Sequence, residues 1–318
     1  MIKLIEYIYE WGNKMYHFIV NPNSRSGKGR LLWNKIYNEL ESKNVDYKIY
    51  FTEIENNGTK IAHEITKDSH ECNIIAIGGD GTVNEVINGI KDFSKVTFSY
   101  IPTGSSNDFA KGLSLSNDYM EALDKLLNPK NFKEINIGIV SNKNEKRYFA
   151  VSCGIGFDAD VCYEALNSTM KKLLNKLNLG KLTYFVIAVK RLFLSKMISV
   201  DVSFDNEQPI KYNKVFFIAA MNLPYEGGGL KLSPEAICDD DILDICLVNN
   251  LPKIKIFTLL PTAFKGKHTR FKGVNLKKCK KIDIKTSTPM AVHVDGEYFG
   301  YQNNINISYD KHKLKVIV

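Results

Sequence analysis

The run NIIAIGGDGTVNEV, residues 73–86, divides into two halves. The first half is an unbroken apolar stretch, rich in isoleucine. It predicts a strand buried on both faces, as in a parallel sheet covered by helices. The second half places three glycines, Gly78, Gly79 and Gly81, around a lone acid, Asp80, ahead of a helix-like TVNEVINGI. Glycine costs backbone entropy, so such a turn belongs where the chain needs positive φ or a ligand approaches closely. Asp80 reads either as a group that holds a metal or orders an attacking group, or as the N-cap of the helix starting at Thr82. In a parallel sheet all strand C-termini share one edge, and ligands bind there.

The same grammar recurs on both sides of this run. MYHFIV (15–20), YKIYFT (47–52) and VTFSYI (96–101) are predicted strands, and LLWNKIYNELESK, NGTKIAHEITKD and YMEALDKLL are predicted helices. Two more turns then fall at the same edge. NPNSRSGKG (21–29) is a small-residue loop ahead of the first helix, whose N-terminus favours an anion. It is not a Walker A loop, because Pro22 stands where that motif needs Gly, and Gly29 where it needs Ser or Thr. PTGSSNDFA (102–110) adds the hydroxyls of Ser105 and Ser106 and a second acid, Asp108; capping by Asn107 and Asp108 is the alternative. Three such turns meeting at one edge make a crevice suited to a nucleotide's phosphates.

Beyond Asn128-Pro129 the texture changes to short segments rich in β-branched and aromatic residues, such as MISVDVSF, KVFFIAAMN and LDICLV, with turn signals such as Asp205-Asn206. This predicts an antiparallel β domain interrupted by helices near 159–178, 181–195 and 253–264. The chain of 318 residues, 44% hydrophobic and 25% charged, is long enough for two domains and has a globular composition. We expect an α/β nucleotide-binding domain over 15–133 and an antiparallel β domain over 134–309. Residues 1–14 read as an N-terminal extension, either a short amphipathic helix or a stretch upstream of a natural start at Met15.

Net charge is +8, but its distribution is uneven. Residues 167–196 carry seven Lys or Arg and no acid; residues 252–285 carry eleven and only Asp283. The remainder is acidic and contains every glycine-rich turn, a pattern unlike a nucleic-acid binder. Leucines at helical spacing between the lysines of 170–177 read as an anionic-lipid docking surface or as a core helix with a solvated lysine face. No apolar run approaches the ~20 residues of a membrane span. The six cysteines form no C-x-x-C pair and read as buried thiols in a reducing cytosol.

On NPNSRSGKG, GGDGTVNEV (78–86), IPTGSSNDFAKGL (101–113), GIGFDADV (154–161), PYEGGGLKLSPEAICDDDILDICLV (224–248) and VHVDGE (292–297), the chain resembles the bacterial soluble diacylglycerol kinases, relatives of sphingosine and ceramide kinases. GGDGT alone also occurs in NAD kinases; its combination with PTGSSNDFA and DGE separates the two. The resemblance implies a two-domain lipid kinase, an NAD-kinase-like α/β domain to which the extreme C-terminus (310–318) returns plus a β-sandwich over 134–309, with ATP in the cleft between them, phosphorylating diacylglycerol to phosphatidic acid. By the same resemblance Asn21, Pro22, Asn23, Ser24, Gly27, Thr52, Gly79, Asp80, Gly81, Thr82, Val83, Asn84, Glu85 and Ser105 line the nucleotide site. Glu297 matches the family's general base, a title for which Asp80 competes in the sphingosine branch. Asp295, Asp80 and Asp108 match an acid–water–Mg²⁺ network. A second Mg²⁺ site is implied at Asp240 with the carbonyls of Ile237 and Ile242, where Asp241 replaces the family's usual glycine.

The expected protein is therefore a cytoplasmic lipid kinase, peripheral to the inner face of the membrane. It binds anionic headgroups through 167–196 and 252–285 and does not bind nucleic acid; a homodimer is one state open to it, since homodimers occur among relatives. The rival readings are an NAD kinase-like phosphotransferase acting on a soluble nucleotide, and an inactive lipid- or nucleotide-binding regulator.

Overall fold

The computed structural model describes residues 15–54, 56–68, 70–167 and 180–318. The chain divides into two compact units, Met1–Ile135 with His312–Val318, and Asn136–Lys311.

In the first unit, β1 (Tyr16–Val20), β2 (Tyr47–Phe51), β3 (Cys72–Gly78) and β4 (Val96–Pro102) are parallel, with β3 at the centre. The sheet is completed by β5 (Phe132–Ile135) and by β15 (Leu314–Ile317), in the order β2-β1-β3-β4-β15-β5. β15 runs parallel to β4 and antiparallel to β5, so the last residues of the chain fill a place inside this sheet. The core packs Phe18, Val20, Ile75, Ile77 and Ile101 against Trp33, Ile36 and Leu40 of the first helix and Leu123 and Leu126 of the last. Residues 33, 36 and 40 fall at helical spacing, which is why one face of that helix is apolar.

The first helix, Ser24–Ser42, begins inside NPNSRSGKG, so only Asn21–Asn23 form the loop expected to span 21–29. The first turn is irregular: Ser24 N–H donates to Asn21 O (3.2 Å) and Gly27 N–H to Asn23 O (3.4 Å), while Arg25 (φ +48°) and Gly27 (φ +91°) are left-handed. Gly29 leaves room for the close approach of this turn: a Cβ there would lie 2.1 Å from Asn21 O.

In the second unit every strand pairing is antiparallel. Its strands are β6 (Gly138–Ser141), β7 (Lys146–Phe149), β8 (Ser152–Gly156), β9 (Ile198–Phe204), β10 (Ile210–Met221), β11 (Leu243–Asn249), β12 (Val274–Cys279), β13 (Ile282–Val294) and β14 (Glu297–Tyr309). They follow the order β12-β11-β10-β8-β13-β14-β6-β7, with β9 joining β10 to β13. This is the antiparallel β domain the sequence texture called for, and the β-sandwich the resemblance implied. From Val215 to Met221 β10 is buried on both faces: Ile218 and Ala220 enter one apolar cluster, Ala219 and Met221 another that faces the helices. That part of its sequence is therefore continuously apolar rather than alternating. Helices span Phe157–Asn167, Gly180–Leu194 and Lys253–Ala263. The expected continuation of the first of these to 178 lies outside the described residues.

Among the described residues no helix is long and apolar enough to cross a membrane. All six cysteines are free; Cys72 and Cys162 are half-buried and the other four buried.

Candidate functional site

The three turns of the first unit are bonded to one another. Asn21 Nδ2–H donates to Thr82 Oγ1 (3.3 Å), linking the turns after β1 and β3. Ser24 Oγ lies 2.7 Å from Thr103 Oγ1, linking those after β1 and β4. Gly79 and Gly104 pack backbone to backbone, so that a Cβ on Gly104 would sit 2.7 Å from Gly79 Cα. The Phe109 N–H donates to Asp80 Oδ1 (3.2 Å), and the Tyr100 hydroxyl lies 3.0 Å from Gly78 O and 3.1 Å from Asn107 Oδ1. Burial, with the charges of Asp80 and Asp108 nearby, holds the Tyr100 phenol well above its ordinary pKa. Tyr100 is thus a neutral post that carries both acid-bearing turns.

Asp80 is the first residue of helix Asp80–Gly89, and Gly79 is its cap. Its carboxylate reaches instead to the start of helix Asp108–Gly112. Asp108 is buried and pairs with Lys111 Nζ at 3.2 Å. Pro22, Thr52, Thr82, Val83 and Asn84 are buried, so Val83 in particular offers a ligand only backbone; Ser105 and Asn23 are exposed, and Asn21, Gly27, Gly79 and Gly81 half-buried. The Glu85 carboxylate is engaged within the fold. It accepts the N–H groups of Asn56 (3.1 Å) and Gly58 (2.8 Å), capping helix Asn57–Thr66. Backbone amides and small hydroxyls gathered at strand ends, with two acids among them, suit a polyphosphate with its cation.

In the second unit Asp295 lies in the tip of the β13–β14 hairpin, and Glu297 is the first residue of β14. Asp295 (φ +51°) and Gly296 (φ +85°) form a two-residue turn with both residues left-handed, the geometry that asparagine-glycine and aspartate-glycine pairs supply. The Asp295 carboxylate accepts three backbone N–H groups, from Ala150 (2.9 Å), Val151 (2.9 Å) and Ser152 (3.0 Å). It therefore anchors the hairpin to the start of β8, whatever else it binds.

The implied cation turn is also preformed. Asp240 Oδ1 accepts the Ile242 N–H (3.0 Å), and the Ile242 carbonyl accepts the Tyr309 hydroxyl (3.2 Å). Asp241 adopts φ +62°. Nearby Asp244 is buried with Oδ2 unpartnered, and burial, reinforced by Asp240 and Glu235, raises its carboxyl above the ordinary value. Oxygen donors in a fixed turn with excess negative charge fit a hard divalent cation.

The two basic segments meet in this unit. Lys253 Nζ donates to Phe193 O (2.6 Å) and Ser195 O (2.7 Å), closing the C-terminus of helix Gly180–Leu194. Phe193, Leu194, Ile254, Phe264 and Phe271 are exposed. Lys190 and Arg191 both pair with Glu164, which lies just before the basic stretch 167–196, so two of its seven cations share one carboxylate and one of their charges is offset.

Three polar residues escaped the sequence reading: Asp158, Glu226 and His293, which cluster on the second unit's sheet. All three stand in quoted motifs, GIGFDADV, PYEGGGLKLSPEAICDDDILDICLV and VHVDGE, and a charged residue amid a buried apolar strand was the available signal.

Comparison with known proteins agrees with this architecture. Residues 15–140 match the model of the diacylglycerol kinase catalytic domain, and residues 152–317 that of the YegS C-terminal NAD kinase β-sandwich-like domain. YtlR of Bacillus subtilis (strain 168), provisionally named a lipid kinase, is 31% identical over 90% of this chain and 94% of its own length. A diacylglycerol kinase of Staphylococcus saprophyticus is 30% identical over 90% of each. A structure from Bacillus anthracis str. Sterne, provisionally titled a diacylglycerol kinase, superposes with TM-score 0.75 at 23% identity over 96% of both chains. An Archaeoglobus fulgidus NAD kinase in complex with ATP shares the fold at TM-score 0.56 and 12% identity, over 96% of this chain and 94% of its own. With turns, sheet and sandwich all in agreement, the chain belongs to the diacylglycerol kinase family of lipid kinases.

Proposed function

We propose that the protein transfers the γ-phosphate of ATP to the hydroxyl of diacylglycerol, giving phosphatidic acid. The observation that carries this reading is the junction of the three strand-end turns at Asn21–Thr82, Gly79–Gly104 and Asp80–Phe109, in a chain of this family. Phosphoryl transfer asks mainly for positioning and charge neutralisation. Backbone N–H groups of the glycine turns cradle the phosphates, Asp80 and Asp108 hold the cation, and Glu297 takes the proton of the lipid hydroxyl. Mg²⁺, when bound, supplies neutralisation of the phosphate oxygens. Asp240 with the Ile237 and Ile242 carbonyls holds a second, structural cation.

Labelled ATP offered with mixed micelles of diacylglycerol, or with NAD⁺, tests the reading. Label in phosphatidic acid supports it; label in NADP⁺, or in neither product, overturns it. Asp80→Asn and Glu297→Gln are expected to lower kcat by about 10² to 10⁴. Near-wild-type turnover in both would remove these residues from the mechanism.

We further propose that the surface bearing Phe193, Leu194, Ile254 and Phe264, with the surrounding lysines, docks on anionic membrane, so that a peripheral cytoplasmic enzyme reaches its substrate. Each Lys or Arg near such a surface contributes about 1 kcal/mol. Co-sedimentation with phosphatidylserine vesicles should fall with salt and with Phe193→Ser; indifference to both counts against docking.

A further inference from the structure

Asp158, Glu226 and His293 come from three separate elements: the first turn of helix Phe157–Asn167, the turn before Gly227, and β13. His293 is fully buried, with Nε2 3.0 Å from Glu226 Oε1 and 3.6 Å from Asp158 Oδ2. The backbone is built to admit this cluster. A Cβ on Gly154 of β8 would lie 2.1 Å from Asp158 Oδ2 and 2.2 Å from His293 Nε2. Glu226 is fixed by its own main chain, which exchanges two 2.9 Å hydrogen bonds with Leu230 across three left-handed glycines.

The ligand-type atoms of the three residues lie within 4.8 Å of one another, as a metal site would require. The far side of the imidazole argues otherwise. Nδ1 accepts the Gly296 N–H at 3.1 Å, so the lone pair is there and the ring proton sits on Nε2, facing Glu226. An Nε2–H has no lone pair for a metal. Burial opposes a second ring proton while Cys162 and the carboxylates favour one, with a net upward pull. A proton on Nδ1 would abut the Gly296 N–H, and that contact selects the neutral form.

Gly296 is the second residue of the turn that Asp295 anchors, and Glu297 follows it. We propose that His293, oriented by Glu226 with Asp158 beside it, is a positioning residue that fixes the Asp295-Gly296 turn through the Gly296 N–H and so sets the direction of Glu297. The proposal rests on the reading of Glu297 as proton acceptor.

The test compares His293→Leu, which removes the acceptor, with His293→Asn, whose Oδ1 restores one near Nδ1. Hydrogen exchange at the Gly296 amide should quicken about 10-fold in His293→Leu, the loss of one hydrogen bond, and return toward wild type in His293→Asn. In the same variants kcat should fall about 10²-fold in His293→Leu, as a small misplacement does, with KM for ATP within about twofold, and recover in His293→Asn. Unchanged Gly296 exchange in His293→Leu overturns the proposal, as does a stoichiometric Mn²⁺ or Zn²⁺ in the purified protein that either variant loses. Full activity of Glu297→Gln would instead defeat the reading of Glu297, and the proposed control of that residue's chemistry with it; the exchange data would still decide whether His293 holds the turn.

Discussion

Asp241 and Asn136 hold each other at both ends. Asn136 Nδ2–H donates to Asp241 Oδ1 at 2.6 Å, and the Asp241 N–H donates to Asn136 Oδ1 at 3.1 Å. The pair explains how a left-handed turn position tolerates a side chain here. The left-handed backbone of Asp241 costs about 1–2 kcal/mol in a residue with a Cβ, and the two hydrogen bonds offset it.

Asp241→Ala keeps the strain and strands the buried Asn136 amide, so destabilisation of about 1–3 kcal/mol is expected. Asp241→Gly relieves the strain and should cost only about 1 kcal/mol. Urea melts of both variants measure the difference. Equal losses would show that the backbone conformation carries no cost at this position.

Gly104→Ala drives a methyl against Gly79 Cα and Asn107 Oδ1, each 2.7 Å from the new atom. Overpacking of this kind costs about 1–3 kcal/mol. Because it parts the two turns proposed to cradle phosphate, KM for ATP should rise as well. A variant with lowered melting temperature and unchanged ATP affinity would separate the turn junction from nucleotide binding.

Lys253→Met removes the ammonium from the carbonyls of Phe193 and Ser195 while keeping an aliphatic stem. A cation at a helix C-terminus contributes about 0.3–1 kcal/mol, more when partly buried. A loss of about 1 kcal/mol in denaturant melts is expected, and no measurable loss would show that the contact is incidental.

His268 is buried, bonded through Nε2 to Leu232 O at 3.2 Å, with Nδ1 unpartnered. Burial holds its imidazole below the ordinary value of 6.5. The unfolded chain therefore takes up a proton first as pH falls. Stability from this group is full above about 6.5 and declines as pH drops from there through the folded pKa. His268→Gln should flatten that part of the stability profile, read as melting temperature against pH. A slope unchanged by the substitution would assign the acid limb to other groups.

How far the sequence could be read differs by residue. Strands β1 to β4 and helix Tyr119–Leu127 lie almost where apolar periodicity puts them, because a strand covered on both faces leaves an unbroken apolar signature. NPNSRSGKG reads as a loop by composition, yet the first helix begins within it at Ser24, through a turn with Arg25 and Gly27 left-handed and with Gly29 leaving room for Asn21 O. Glu85 follows GGDGT in the motif, but its carboxylate caps a helix that starts 28 residues earlier, at Asn57. The charge count over 167–196 missed Glu164, which pairs across to Lys190 and Arg191 from another helix.

The sequence by itself determined the alternating strand–helix half, the antiparallel half and the three glycine- or serine-bearing turns, because periodicity and backbone permissiveness are local properties of the chain. Only the tertiary structure decided which polar atoms meet: Asn21 with Thr82, Asp80 with Phe109 N–H, Asp241 with Asn136, and His293 between Glu226 and Gly296. Such hydrogen bonds form within about 3 Å between residues up to 105 positions apart. No spacing rule reaches that far, so the partners are chosen by strand register and by where glycine leaves room.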